Sequence, residues 1–227
     1  MSTVNWVQVV VGIFQSVLSG VFVGLVIYWL DERRAKRERR LSDYRIASDW
    51  EKAKLKASLR NFDLTKANLS GYSFVKANLE GAIMKECGIL GTNFNQANLR
   101  HSDFRKSRIV STDFIKAMAY KADFSGATIT ASLSSKSPSD FTQSVLKQAK
   151  FIKTYITDAK FSGADLKAAD FSKATVINCD FSDSDLTDLI WKNVRHTENC
   201  IWKNVTGISQ ENFSPDLWKE IQRQNGN

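Results

Sequence analysis

From Leu59 to Ile129, and again from Phe141 to Leu186, nearly every fifth residue is large and apolar, and the residue two places before it is usually small. Ala67 stands in this relation to Leu69, Ala77 to Leu79, Ala97 to Leu99, Ala122 to Phe124, Ala159 to Phe161 and Ala164 to Leu166. A period of five matches neither the helical nor the strand repeat, so neither element buries both sets of residues. It matches a solenoid in which the chain turns a corner every five residues and sends both sets to a central axis.

A longer period lies within the first. Phe74, Phe94 and Phe114 are twenty apart, as are Leu59, Leu79 and Leu99, and Leu69, Ile89, Ile109 and Ile129. The second run repeats the columns with Phe141, Phe161 and Phe181, with Leu146, Leu166 and Leu186, with Phe151, Phe171 and Trp191, and with Ile156 and Val176. Twenty residues therefore make one coil of four sides. Between the runs, Ile129 and Phe141 are twelve apart where five is due. Residues 132–138 (SLSSKSP) supply the excess of seven and are predicted to form a surface loop pushed out of one corner.

The segments Ala67-Asn68-Leu69, Ala77-Asn78-Leu79, Ala97-Asn98-Leu99, Ala122-Asp123-Phe124, Ala164-Asp165-Leu166 and Ala169-Asp170-Phe171 resemble the repeat of pentapeptide-repeat proteins. The resemblance covers about residues 57–191. It implies an all-β solenoid, a right-handed quadrilateral β-helix of about six coils, roughly 30 Å long at the usual strand spacing. Phe62 and Tyr72 depart from it at small positions near the start, where an end cap is expected to take them up. Ala119 departs at a large position, with Met118 or Tyr120 expected to fold over it.

Residues 4–30 carry no charge and then meet DERRAKRERR. Twenty-seven uncharged residues exceed the ~20 that cross a bilayer, and the basic residues follow the apolar run, unlike those of a signal peptide. The expectation is an N-terminal transmembrane helix with Trp6, Tyr28 and Trp29 at the interfaces. Arg33, Arg34, Lys36, Arg37, Arg39 and Arg40 place its C-terminal end in the cytoplasm by the positive-inside rule. The chain is then a single-pass membrane protein with its N-terminus outside and its solenoid in the cytoplasm. Gly12, Ser16, Gly20 and Gly24 form a ridge of small residues suited to helix–helix association, hence to a homo-oligomer. Asn5, Gln8, Gln15 and Ser19 share a polar face, which self-association or a water-lined assembly would satisfy.

Residues 31–56 are expected to form a basic juxtamembrane helix that also caps the first coil, through Ile46, Trp50, Ala53 and Ala57. The basic cluster can also attract anionic lipid headgroups. Residues 192–227 are expected to form a C-terminal cap ending in a short helix, with Ser214 as N-cap, Pro215 at its first position and Asp216 in its first turn. Ile190-Trp191-Lys192-Asn193-Val194 recurs eleven residues later as Ile201-Trp202-Lys203-Asn204-Val205, one residue more than two repeats.

The composition argues against catalysis. His101 and His196 are the only histidines and lie far apart, Cys87 and Cys179 occupy small inward positions, and Cys200 stands apart from them. No phosphate loop or nucleophile motif is present, and no cofactor or metal is expected. The formal net charge is +8, and from residue 57 onward 22 Lys or Arg face 18 Asp or Glu. That sign opposes a DNA mimic that binds topoisomerases, a role known among such proteins, and no patterned aromatic–Arg surface points to nucleic acid. The sequence thus predicts a membrane-tethered, non-catalytic scaffold for protein–protein interaction. The alternatives are an oligomeric membrane-acting effector or pore-former in bacterial defence, and a topoisomerase-binding protein.

Overall fold

The computed structural model describes residues 6–50 and 58–226, with side chains from Leu25 onward. Most solenoid corners in it share one construction. The carbonyl of an inward apolar residue accepts from the N–H three residues on, as in Leu64 O to Ala67 N at 2.9 Å and Phe94 O to Ala97 N at 3.0 Å. The second central residue of the turn has positive φ, +65° at Lys66 and +60° at Gln96, the geometry of a type II turn. Glycine and asparagine suit that position best, yet lysine holds it repeatedly. Its N–H is fixed by the next coil, as in Lys66 N to Lys85 O at 2.8 Å and Lys76 N to Asn95 O at 2.9 Å. The Asn or Asp before the apolar residue accepts from the N–H two residues on, as in Asp63 Oδ1 from Thr65 N at 3.0 Å and Asp170 Oδ1 from Ser172 N at 2.8 Å. The motif is thus a large residue to fill the axis, an Asx residue to satisfy a corner N–H, and a small residue where the corner packs inward.

Three sides of each coil meet their neighbours through single parallel bridges, for example Asp103↔Asp123 and Asn78↔Asn98. The remaining side differs. After Asn68 its outward position holds Gly88, Arg108, Thr128, Tyr155, Thr175 and His196, none of them Asx, and here the backbone stays extended over three residues. The strands are β1 (Gly88–Leu90), β2 (Arg108–Val110), β3 (Thr128–Thr130), β4 (Tyr155–Thr157), β5 (Thr175–Ile177) and β6 (His196–Glu198), paired in order as one six-stranded parallel sheet. Thr128 pairs with Tyr155, an offset of 27 residues in place of 20, so 132–138 is an insertion that leaves the register intact. Thr175 pairs with His196, an offset of 21, which absorbs the one extra residue seen in the Trp191–Trp202 spacing.

The core consists of the inward columns. Two opposite columns are phenylalanine ladders. Phe94, Phe114, Phe141, Phe161 and Phe181 stack at 4.5–5.1 Å between centroids, as do Phe104, Phe124, Phe151 and Phe171 at 4.6–5.0 Å. The two ladders meet edge-to-face, as in Phe114–Phe124 at 6.0 Å and 86°, the arrangement favoured by ring quadrupoles. Leucines and isoleucines, with Ala119 and Val176, fill the other two columns, all within 1 % of complete burial. Ala119 is buried, but Tyr120 lies outside, its hydroxyl on Gln148 Oε1 at 3.1 Å and its ring edge-on to His101. Tyr120 therefore does not cover Ala119 as expected, because the residue after an inward position points outward.

Both ends of the stack are closed by side chains that replace a missing coil. At the first coil, Asp43 Oδ2 accepts from Asp63 N at 2.9 Å, and the Tyr44 hydroxyl donates to Asn68 O at 3.4 Å. Tyr72, one of the departures from the repeat, places its hydroxyl 3.4 Å from that of Tyr44 and 3.2 Å from Ser48 Oγ. The hydrogen bond with Tyr72, followed by burial, pushes the Tyr44 phenol above its ordinary range. The capping face is thus Asp43, Tyr44, Ala47 and Trp50. Ile46 is exposed, and Ala53 and Ala57 lie outside the described residues. At the other end the bridges continue past residue 191, the expected limit, to Asp180↔Ile201 and Asp185↔Thr206. Gly207 then leaves the ladder with φ +69°, so close to Thr187 that a Cβ would sit 2.6 Å from its backbone nitrogen. Helix α2 (Pro215–Gln224) follows, with Ser214 Oγ accepting from Leu217 N. Its Gln224 accepts from Trp202 N at 2.7 Å and donates to Cys200 O at 3.1 Å, and Asn225 donates to Trp202 O at 2.7 Å. These amides occupy an edge that would otherwise pair with another chain.

Helix α1 runs Trp6–Trp50. The chain divides into two compact units, Met1–Ser42 and Asp43–Asn227, so the solenoid unit begins inside the segment read from sequence as one juxtamembrane element, 31–56. Among the described residues no helix is long and apolar enough to cross a membrane. The expected span, 4–30, lies largely outside the residues whose side chains are described, which begin with Leu25, Val26, Ile27, Tyr28, Trp29 and Leu30, all exposed.

Candidate interaction groove

The strand side carries the seven-residue insertion that breaks the solenoid's regularity outward. Residues after β3 leave the corner as a loop whose base is closed by Ser132 N to Ser137 O at 3.2 Å. Ser111, one coil earlier and itself at φ +47°, ties both ends. Its hydroxyl accepts from Ser132 N at 2.9 Å and donates to Ser137 O at 2.6 Å. Lys136 N to Ser132 O at 2.8 Å tightens the turn, and Ser139 Oγ donates to Thr130 O at 3.1 Å beneath it. The loop is therefore anchored to the sheet, and its tip carries Leu133, 99 % exposed.

Between loop and sheet lies a groove of ≈ 820 Å³. Leu90 and Val110 give it an aliphatic bed, Thr128, Thr130 and Thr157 line it with hydroxyls, and Tyr155 and Leu133 form its walls. Its charged lining is Arg108, Lys136 and Asp158. Elsewhere on the solenoid some charges are paired coil to coil, as in Arg60–Glu80 at 3.1 Å, Lys85–Asp103 at 3.3 Å and Lys167–Asp185 at 2.7 Å. Burial alone would raise Asp103, but hydrogen bonds from the Arg105 side chain and backbone, with the charges of Arg105 and Lys85, hold it below its ordinary range. On another side Asp113 is pushed up, first by burial and then by the charge of Asp140 in the next coil.

The residues singled out from sequence are not brought to this groove. Gly12, Ser16, Gly20, Gly24, Gln8, Gln15 and Ser19 lie on α1 where side chains are outside the described residues, and Asn5 lies outside them altogether. Of the basic cluster, Arg33 stacks over Trp29 at 3.5 Å, Arg34 pairs with Glu38 at 3.1 Å, and Lys36 pairs with Glu32 at 2.6 Å. Arg37, Arg39 and Arg40 continue the same helix. Among the described residues no group of His, Cys, Asp and Glu is placed to hold a metal. Burial pushes the Cys87 thiol up to about 12. Cys200 does not stand apart. The offset of 21 stacks it beside Cys179, whose thiol is raised first by its hydrogen bond with Cys200 and then by burial. The sequence reading missed Ser111 as the loop's anchor and Arg108 and Tyr155 as groove residues. Carrying the twenty-residue phase outward as well as inward would have placed all three beside the loop.

A four-sided parallel β-solenoid with one inserted loop defines the class. Eight copies of the pentapeptide repeat match over residues 56–87, 92–130, 139–167 and 149–188, more than half of the chain. The chain belongs to the pentapeptide-repeat family. It is similar in fold to HetL, a pentapeptide-repeat protein involved in heterocyst differentiation regulation in the cyanobacterium Nostoc, at 19 % identity over 68 % of this chain and 91 % of that one, with a TM-score of 0.31. A trypsin-treated form of QnrB1, a plasmid-mediated fluoroquinolone resistance protein, matches at 16 % identity over 74 % and 84 %, with a TM-score of 0.42. Rfr23 from the cyanobacterium Cyanothece matches at 12 % over 61 % and 97 %, with a TM-score of 0.34. No curated protein matches.

Proposed function

We propose that this protein is a non-catalytic interaction scaffold, held at a membrane by residues 4–30 and presenting its solenoid to protein partners in the cytoplasm. The observation that carries the interaction half is an anchored loop displaying a leucine 99 % exposed beside an aliphatic groove. Large exposed apolar groups set beside a concavity mark interaction sites rather than ordinary surface. Supporting the tether are the twenty-seven uncharged residues ahead of a basic run, and the exposed stretch Leu25–Leu30, which covers the whole helix circumference and leaves no polar face for water. The small ridge Gly12, Ser16, Gly20 and Gly24 joins copies of the tether into a homo-oligomer, and the basic cluster meets lipid headgroups.

Two measurements on the full chain in its own membranes test this. Alkaline carbonate washing is expected to leave the protein in the membrane pellet, and its release would overturn the tether. A photo-crosslinking side chain in place of Leu90 is expected to give a protein adduct that disappears when residues 132–138 are deleted, and absence of any adduct would overturn the scaffold. The polar face of Gln8 and Gln15 favours one second reading, a water-lined assembly. Ion leak from liposomes carrying the protein, abolished by changing both glutamines to leucine, would establish it.

A further inference from the structure

Resting on the scaffold reading, we infer that the groove beside loop 132–138 docks an acidic protein segment that carries one aliphatic anchor residue. The apolar half of the argument is the bed of Leu90 and Val110 and the tip of Leu133, which together offer one aliphatic side chain a partner on either side. The charged half is sign and pairing. Arg108 and Lys136 line the groove, and among the described residues neither has an acidic partner within salt-bridge distance, as some basic residues on other sides do. Lys106 and Lys153, both exposed, stand two residues before Arg108 and Tyr155, on the corner across the sheet from the loop. The acidic lining residue, Asp158, already accepts from Asn178 Nδ2 at 3.1 Å. The groove therefore has positive margins on both sides of an aliphatic floor, and carboxylates flanking an apolar side chain complement it.

Other occupants fit less well. A second copy carries a net charge of +8 and would bring like charge to the groove. Single-stranded nucleic acid needs a series of stacking aromatics, and Tyr155 is the one aromatic lining residue. A bilayer is flat and would reach Leu133 but not the floor.

The test uses the full chain in detergent and short fluorescent peptides with a single central leucine, flanked either by glutamates or by lysines. Single-stranded DNA and phosphatidylserine vesicles serve as the other probes. The glutamate peptide is expected to bind and the lysine peptide not to, and binding is expected to weaken with added salt. Leu133→Ser and Arg108→Glu should each weaken it by about tenfold or more, as loss of an anchor or of a facing charge does, and the distant Lys76→Asp should not. Preference for the lysine peptide, DNA or vesicles, binding indifferent to both substitutions, or self-association through Leu133 would overturn the inference. An adduct from the Leu90 crosslinker that maps to a neutral or basic partner segment would overturn the inference and leave the scaffold standing. No adduct at all would remove the scaffold itself.

Discussion

At the scale of single residues, position within the five-residue unit decides consequence. Phe94 is fully buried between Phe74 and Phe114, while Lys76 stands on an outer corner. Phe94→Ala should cost about 3–5 kcal/mol by leaving a cavity inside a ladder, and Lys76→Asp should change the thermal midpoint little. Equal losses would contradict the assignment of inside and outside. Trp202 stacks on Phe181 at 4.6 Å, but its buried indole N–H has no partner among the described residues. Trp202→Phe removes that orphan donor, worth about 1–3 kcal/mol, and so should cost far less than Phe94→Ala in the same unfolding assay. Two aspartates should respond to pH in opposite directions. Asp103 has a folded pKa below its unfolded one, so its stabilisation is present at neutral pH and is lost as pH falls through the folded value, below about 4. Asp113 has a raised folded pKa, so its carboxylate opposes folding once pH rises through that value. Asp103→Asn should therefore destabilise at pH 7 by up to about 1 kcal/mol, reduced by its partial exposure, while Asp113→Asn should be neutral or stabilising. The contrast should shrink as pH falls below the ordinary carboxylate value, and denaturant midpoints across that range measure it.

At the scale of elements, the loop and the terminal caps are separable from the coils they decorate. Deleting residues 132–138 joins Ala131 to Ser139 in the phase that Ser111 and Thr112 hold one coil earlier, so the solenoid should keep a cooperative transition within a few degrees of wild type. Its disappearance would mean that the loop carries structure. The large inward residue, the Asx and the small residue each answer a local demand, so the coils, the twenty-residue columns and the insertion were legible from composition at fixed spacing. The caps were legible only in outline. Tyr44 and Asp43 act through hydrogen bonds to Asn68 and Asp63, some twenty residues away, and no local pattern distinguishes such a contact from an exposed helix face. The same holds for Gln224, whose amide continues the ladder of Trp202. The groove escaped the sequence reading because attention to inward positions leaves Arg108 and Tyr155 as anonymous outward residues. Carried through the outward positions, the twenty-residue phase sets them beside the loop, as the sheet register does.

At the scale of the whole molecule, a stack of coils that touch only their neighbours is as stable as its ends permit. The first coil depends on helix residues 43–50, which the chain's compact organisation groups with the solenoid rather than with what precedes them. A fragment starting at Asp43 should therefore unfold cooperatively. A fragment starting at Ser58 loses the Asp43 acceptor, the Tyr44 donor and the Trp50 ring that lies 6.2 Å from Phe74. Its first coil then presents bare backbone and the Phe74 face to water, which favours edge-to-edge association. The shorter fragment should melt lower by several degrees, at about 4–8 °C per kcal/mol for a small domain and less for one of this size, and should elute as higher oligomers in gel filtration. Replacing Asp43 and Tyr44 with alanine in the longer fragment should reproduce part of the shift. If both fragments melt together and stay monomeric, α1 does not close the stack, and the first coil must be stable without a cap.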